Sequence, residues 1–143
     1  MDSGMDKNLY RVWEAMWKTR RKVDAELQQN SSAILTRTQF YLMRYIMNNG
    51  PCTISQLADL MEVKTSAIST MIERLVQNGL LTRFYGEHDR RNVFVSLTDK
   101  GKESVIHDLR IAKEVFSRYL SCLTPEELET FANLFEKIVH HDK

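Results

Sequence analysis

The sequence predicts a mainly α fold with a small β-hairpin, and three observations carry that expectation. Five Gly and two Pro in 143 residues leave little room for long loops, so helices should dominate. Two short helical stretches, 53–61 and 65–78, are separated only by Glu62-Val63-Lys64, the spacing of a helix-turn-helix pattern. Directly afterwards, β-forming stretches at 80–85 and 93–97 bracket the polar turn that carries Asp89, Arg90 and Arg91. A hairpin with an arginine tip behind a helix pair reads as a winged helix-turn-helix that grips a DNA backbone.

Each element has its own signal. Leu9, Val12, Trp13, Met16 and Trp17 repeat at helical spacing, continue less cleanly through Val23 and Leu27, and stop at the polar run Gln28 to Ser32. Thr38 is the expected N-cap of a second helix carrying Phe40, Leu42, Met43, Tyr45, Ile46 and Met47, which Asn49-Gly50-Pro51 ends. Thr53 or Ser55 caps the first helix of the pair, with Leu57, Ala58, Leu60 and Met61 turned inward. In the second, Ile68, Met71, Ile72 and Leu75 follow the i, i+3, i+4, i+7 rule and bury one face. Its opposite face shows Thr65, Ser66, Ser69, Thr70 and Glu73. Small outward side chains let a helix backbone approach base edges, and Ser and Thr hydroxyls bond bases or phosphates. After Thr98 a long helix carries Val105, Ile106, Leu109, Ala112, Val115, Phe116, Tyr119 and Leu120. Thr124-Pro125-Glu126-Glu127 then opens the last helix, with Thr as N-cap and Pro at the first position.

Charge supports the same reading through its distribution. The net charge is only +1, but residues 64–102 hold seven Lys and Arg against four Asp and Glu, while 103–143 hold five against eight. In the hairpin, Glu87 and Asp89 are suited to hold the loop and orient the arginines, with at least one guanidinium left to meet phosphate oxygens or a narrow minor groove. His88 belongs with that contact rather than with a metal.

Other chemistries lack a pattern. There is no Gly-rich phosphate loop, nucleophile elbow or H-E-x-x-H, so an enzyme is not expected. No cofactor is implied. His107-Asp108 and His140-His141 are neighbours in sequence, which should point apart on a helix, and no metal site is expected. Cys52 and Cys122 lie far apart without a C-x-x-C motif. They read as bystander thiols, with redox reactivity as the sharper alternative if they are exposed. No apolar run of about 18 residues suggests a membrane span, and Met1-Asp2-Ser3-Gly4 does not open like a signal peptide, so a cytoplasmic protein is expected. The competing function is a winged helix used for protein interaction without DNA binding, against which the basic hairpin and the small-residue helix face both count.

An ordered set of residues resembles the MarR family of bacterial transcription regulators: Arg74-Leu75, Gly79-Leu80, Arg83, Asp89-Arg90-Arg91, Leu97-Thr98 and Lys100-Gly101. The likeness in helix order spans essentially the whole chain. It implies a homodimer with N- and C-terminal dimerisation helices and two winged lobes on a palindromic double-stranded DNA operator. The boundaries it suggests are 1–35 for the N-terminal dimerisation helix, 36–100 for the winged helix-turn-helix domain and 101–143 for the C-terminal helices. Two Trp in the first helix and many large apolar residues in the last two support a dimer independently, because a small winged lobe cannot cover them.

By this resemblance Lys64 to Thr70 open the recognition helix, Arg90 and Arg91 form the wing tip, and Asp89 braces a wing arginine. The expected DNA-binding set is therefore Lys64, Thr65, Ser66, Ser69, Thr70, Arg74, His88, Asp89, Arg90 and Arg91. Lys64 stands where such proteins often carry a Ser cap, and Thr70 where Arg is common, which shifts phosphate anchoring toward Lys64. The family also implies a small aromatic or lipophilic effector, for which Trp13, Met16, Trp17, Tyr41 and Tyr45 are the candidates; the competing reading of that stripe is plain core.

Overall fold

The computed structural model describes residues 6–30 and 34–141; the opening Met1 to Gly4 and the Ser31-Ser32 end of the polar run lie outside them. The elements are α1 (Lys7–Gln29), α2 (Arg37–Asn49), β1 (Cys52–Thr53), α3 (Ile54–Met61), α4 (Thr65–Gln77), β2 (Leu81–Tyr85), β3 (Val93–Leu97), α5 (Asp99–Leu120) and α6 (Pro125–Val139). They form two compact units, one of residues 31–110 and one of 1–30 with 111–143.

In the 31–110 unit the core is built from the faces that the periodicity marked. Leu42, Met43 and Ile46 of α2, Leu57 of α3 and Ile68, Ile72 and Leu75 of α4 are all at most 2% exposed. Leu81, Val95 and Val105 close the same cluster. Burying a Leu or Ile side chain contributes roughly 1.5–3 kcal/mol, so this cluster fixes how α3 and α4 are held.

Three helices begin with reciprocal capping boxes. Thr36 Oγ1 accepts from Gln39 N at 3.1 Å while Thr36 N donates to Gln39 Oε1 at 3.0 Å. Thr53 with Gln56, and Thr124 with Glu127, repeat the arrangement. The cap of α2 is therefore Thr36 and not Thr38, because Gln39 three residues on supplies the return bond. At the other end of α2, Gly50 takes φ 80° and its N–H bonds Ile46 O at 2.8 Å.

The hairpin gains a third strand. The sheet order is β1-β3-β2, all antiparallel, with Cys52 opposite Val95 and Thr53 opposite Phe94. β2 pairs with β3 from Leu81 opposite Leu97 to Tyr85 opposite Val93. This arrangement buries Cys52, whose Sγ lies 3.2 Å from Gly50 O, so the exposure that redox reactivity would require is absent there. Burial pushes its thiol pKa up; Cys122 is exposed.

His107 and Asp108 do not point apart. His107 Nδ1 lies 2.9 Å from Asp108 Oδ1, and the buried Asp108 carboxylate also accepts from Ile34 N and Leu35 N. In the second unit Val23 and Val115 are buried and Arg118 pairs with Glu26. Partial desolvation, and then the hydrogen bond and charge of Glu26, push the Tyr119 phenol pKa up. Among the described residues no helix is long and apolar enough to cross a membrane, and no group of His, Cys, Asp and Glu is arranged to hold a metal.

Candidate nucleic-acid interface

The second helix of the pair is seated through one face and open on the other. Ile68, Ile72 and Leu75 are buried, while Thr65, Ser66, Thr70 and Arg74 are exposed and Ser69 and Glu73 are half-buried. Lys64 occupies the N-cap and makes no side-chain capping bond. First-turn N–H groups of α4 are thus left for water or an anion, and the helix dipole favours an anion there. Thr70 Oγ1 donates to Ser66 O at 3.0 Å. Its proton is committed to the helix, so toward a partner Thr70 offers its methyl and its lone pairs.

The turn between the two helices depends on Glu62, which takes the left-handed conformation at φ 55°, ψ 42°. Its N–H bonds Asp59 O at 3.2 Å and Val63 N bonds Ala58 O at 3.1 Å. A position that usually favours Gly thus carries a side chain.

The hairpin tip is tied down by one carboxylate. Asp89 Oδ1 accepts from Arg91 N at 2.9 Å and from Arg91 Nε at 3.2 Å, and the backbone closes with Gly86 N to Asn92 O at 3.0 Å and Asn92 N to Asp89 O at 3.1 Å. Phe84 and Phe94 stack across the hairpin with centroids 5.6 Å apart. Arg91 keeps a 92% exposed side chain despite its brace. Its outer guanidinium nitrogens thus face solvent. Arg90 and His88 are exposed too. Asp89, rather than Glu87, makes the loop contacts.

One ion pair joins the hairpin to the helix: Arg83 Nη1 lies 2.7 Å from Glu73 Oε2. Glu73, expected on the outward face, therefore serves as a strut and also partly neutralises that face. Such a half-exposed pair contributes little to stability, but it links β2 to the outer face of α4. Ser69, Thr70, Glu73, Arg74 and Gln77 line an open depression of about 430 Å³ on the outer face of α4. Gln77 was not among the expected residues, although it lies one turn beyond Glu73, at the i+4 position of the same stripe.

The candidate effector residues lie on two helices. Trp13, Met16 and Trp17 on α1 are all about half exposed, with Arg21 over the Trp17 ring at 5.4 Å. On α2, Tyr41 is exposed and Tyr45 is half-buried against the lobe core. Within one chain, then, Trp13, Met16, Trp17 and Tyr41 are not core.

Known proteins share this arrangement. The model of the MarR family matches residues 35–93. The HTH-type transcriptional repressor MdtR of Bacillus subtilis (strain 168) is 36% identical over 104 residues, covering 73% of this chain and 67% of MdtR. A solved MepR-like protein, in complex with pseudoligands, is 33% identical with a TM-score of 0.63, covering 93% of this chain and 94% of its own. The crystal structure of YusO from Bacillus subtilis is 28% identical with a TM-score of 0.74, covering 98% and 100%.

Proposed function

We infer the mode of action from one premise: the chain belongs to the MarR family of DNA-binding transcription regulators. It acts as a homodimeric repressor in the cytoplasm, each lobe laying α4 in the major groove of a palindromic operator and resting its wing on the flanking backbone or minor groove. Lys64, Thr65, Ser66, Ser69, Thr70 and Arg74 are the helix contacts, and His88, Asp89, Arg90 and Arg91 form the wing. The observation that carries this reading is the joint presentation of an open Ser/Thr face and a braced arginine tip, linked by Glu73 and Arg83.

Dimerisation through residues 1–35 and 101–143 is supported by exposed apolar surface and by charge. Leu9, Val12, Trp13 and Trp17 on α1, and Leu134, Ile138 and Val139 on α6, are each more than half exposed in a single chain. α1 carries six basic residues against three acidic, and α6 four acidic against one basic, so a second copy brings complementary charge. The same exposed aromatic and sulfur groups, Trp13, Met16 and Trp17, together with Tyr41 and Tyr45, suit a small aromatic or lipophilic effector. The repressor name of MdtR and the pseudoligands of the MepR-like protein support repression and ligand response in this chain.

Fluorescence anisotropy tests the reading with the duplex upstream of the protein's own gene and a scrambled duplex, at several salt concentrations under reducing conditions. Selective, salt-sensitive binding is expected. Replacing Arg90 and Arg91 together with Ala should weaken binding to all DNAs and flatten the salt dependence. Unchanged affinity and slope in that double variant would remove the wing from the interface.

A further inference from the structure

Three backbone carbonyls follow α4 in direct succession, and the start of α5 supplies a donor to each. Lys100 Nζ bonds Asn78 O at 3.0 Å, Thr98 Oγ1 bonds Gly79 O at 2.6 Å, and Thr98 N bonds Leu80 O at 3.1 Å. Thr98 Oγ1 in turn accepts from Gly101 N at 3.0 Å, so one hydroxyl closes the end of α4 and opens α5. Gly101 permits the contact, because a Cβ there would run into the Leu80 carbonyl.

The helix does not need these donors in order to stop. Gly79, at φ 77°, already ends α4 with Gly79 N on Val76 O at 3.0 Å and Leu80 N on Leu75 O at 2.9 Å. The bonds from Lys100 and Thr98 go to the carbonyls of the C-cap Asn78, of Gly79 and of Leu80, which surround that stop. What they fix is where the end of α4 sits against α5. Lys100 also brings a full positive charge to the negative end of the helix dipole.

We propose that Lys100, together with Thr98, is a positioning residue for DNA recognition: its ammonium holds the C-terminal end of α4 on α5 and contacts no phosphate. The proposal rests on the regulator reading above. A phosphate contact would contribute to the salt slope, whereas a positioning residue sets the fraction of molecules whose helix is seated to bind. Losing it should reduce specific affinity, leave the slope alone and spare non-specific binding.

The test uses the full chain and a duplex that the wild-type protein selects from a randomised pool. Wild type, Lys100→Met, Lys100→Arg and Arg90→Ala are titrated across a salt series, with an unselected duplex in parallel. Lys100→Met should bind the selected duplex about fivefold more weakly, with an unchanged salt slope and unchanged binding to the unselected duplex. Lys100→Arg should recover the wild-type affinity, since a guanidinium reaches the same carbonyl, and Arg90→Ala should flatten the slope. Amide exchange at Gly79 and Leu80 should quicken in Lys100→Met. A flattened slope in Lys100→Met, an unchanged affinity, no recovery in Lys100→Arg or unchanged exchange would each overturn the proposal. A wild-type protein that selects no duplex would overturn the regulator reading itself, and the Arg90→Ala slope judges the wing separately from Lys100.

Discussion

Removing the Asp108 carboxylate should destabilise the protein by about 3 kcal/mol, although the residue lies on neither the α4 face nor the wing. Its side chain is 8% exposed and accepts four contacts: Ile34 N to both oxygens at 3.0 and 3.1 Å, Leu35 N at 2.7 Å and His107 Nδ1 at 2.9 Å. Leu35 is buried in the lobe core, so in Asp108→Ala its N–H loses this acceptor where water cannot replace it. An orphaned buried donor costs about 1–3 kcal/mol. Ile34 is 53% exposed, and water restores part of its bond, which adds roughly 1 kcal/mol. Losing a buried charge gives some of this back, because that charge was costly to desolvate. Asp108→Asn keeps a carbonyl oxygen for Leu35 N and turns its amide toward His107, which can accept through the other tautomer. It should therefore cost only about 1 kcal/mol. Urea unfolding at fixed protein concentration measures both, and the Ala variant should melt about 9 °C lower. An Ala variant within half a kcal/mol of wild type, or an Asn variant as unstable as Ala, would refute the hydrogen-bond reasoning.

One further substitution and one labelling experiment probe other parts of the lobe. Glu62→Gly relieves a left-handed residue in the helix-turn-helix turn and should stabilise the fold by about 1 kcal/mol; a thermal melt that moves down instead would mean the Glu62 side chain makes a contact that outweighs its backbone strain. Cys52, buried and with its thiol pKa raised, should react with a thiol reagent at pH 8 about a hundredfold more slowly in native protein than in urea, and comparable rates would show that β1 opens readily.

Patterns imposed by a single buried face were legible. Ile68, Ile72 and Leu75 had to share a side for α4 to pack, and Thr124 announced its own helix through Pro125 and Glu127. Thr36 carried an equally readable signal in Gln39, but the apolar run begins only at Phe40 and drew the expected cap toward Thr38. β1 was beyond reach, because two residues have no period and Cys52-Thr53 becomes a strand only by pairing with Val95 and Phe94. The contact of His107 with Asp108 was hidden for a related reason: the carboxylate is fixed by amides 73 and 74 residues away, and the imidazole then reaches it. At the candidate interface, residue types and order were visible, but the Arg83–Glu73 strut and the outward Gln77 were not.

Charge illustrates why pairing matters more than counting. The sequence offers seven cations between residues 64 and 102, and if all of them met phosphate in both lobes of a dimer the salt slope would be near −13, at about 0.9 per contact. Two are committed inside the lobe, Arg83 to Glu73 and Lys100 to Asn78 O. Five per lobe remain, namely Lys64, Arg74, Arg90, Arg91 and Lys102, with Arg91 partly offset by Asp89. The slope of log affinity against log salt should therefore be no steeper than about −9. A steeper value would mean either that a cation outside this stretch, such as the exposed Arg44 of α2, also meets phosphate, or that the Arg83 strut or the Lys100 contact opens on DNA. Arg44→Ala separates the two.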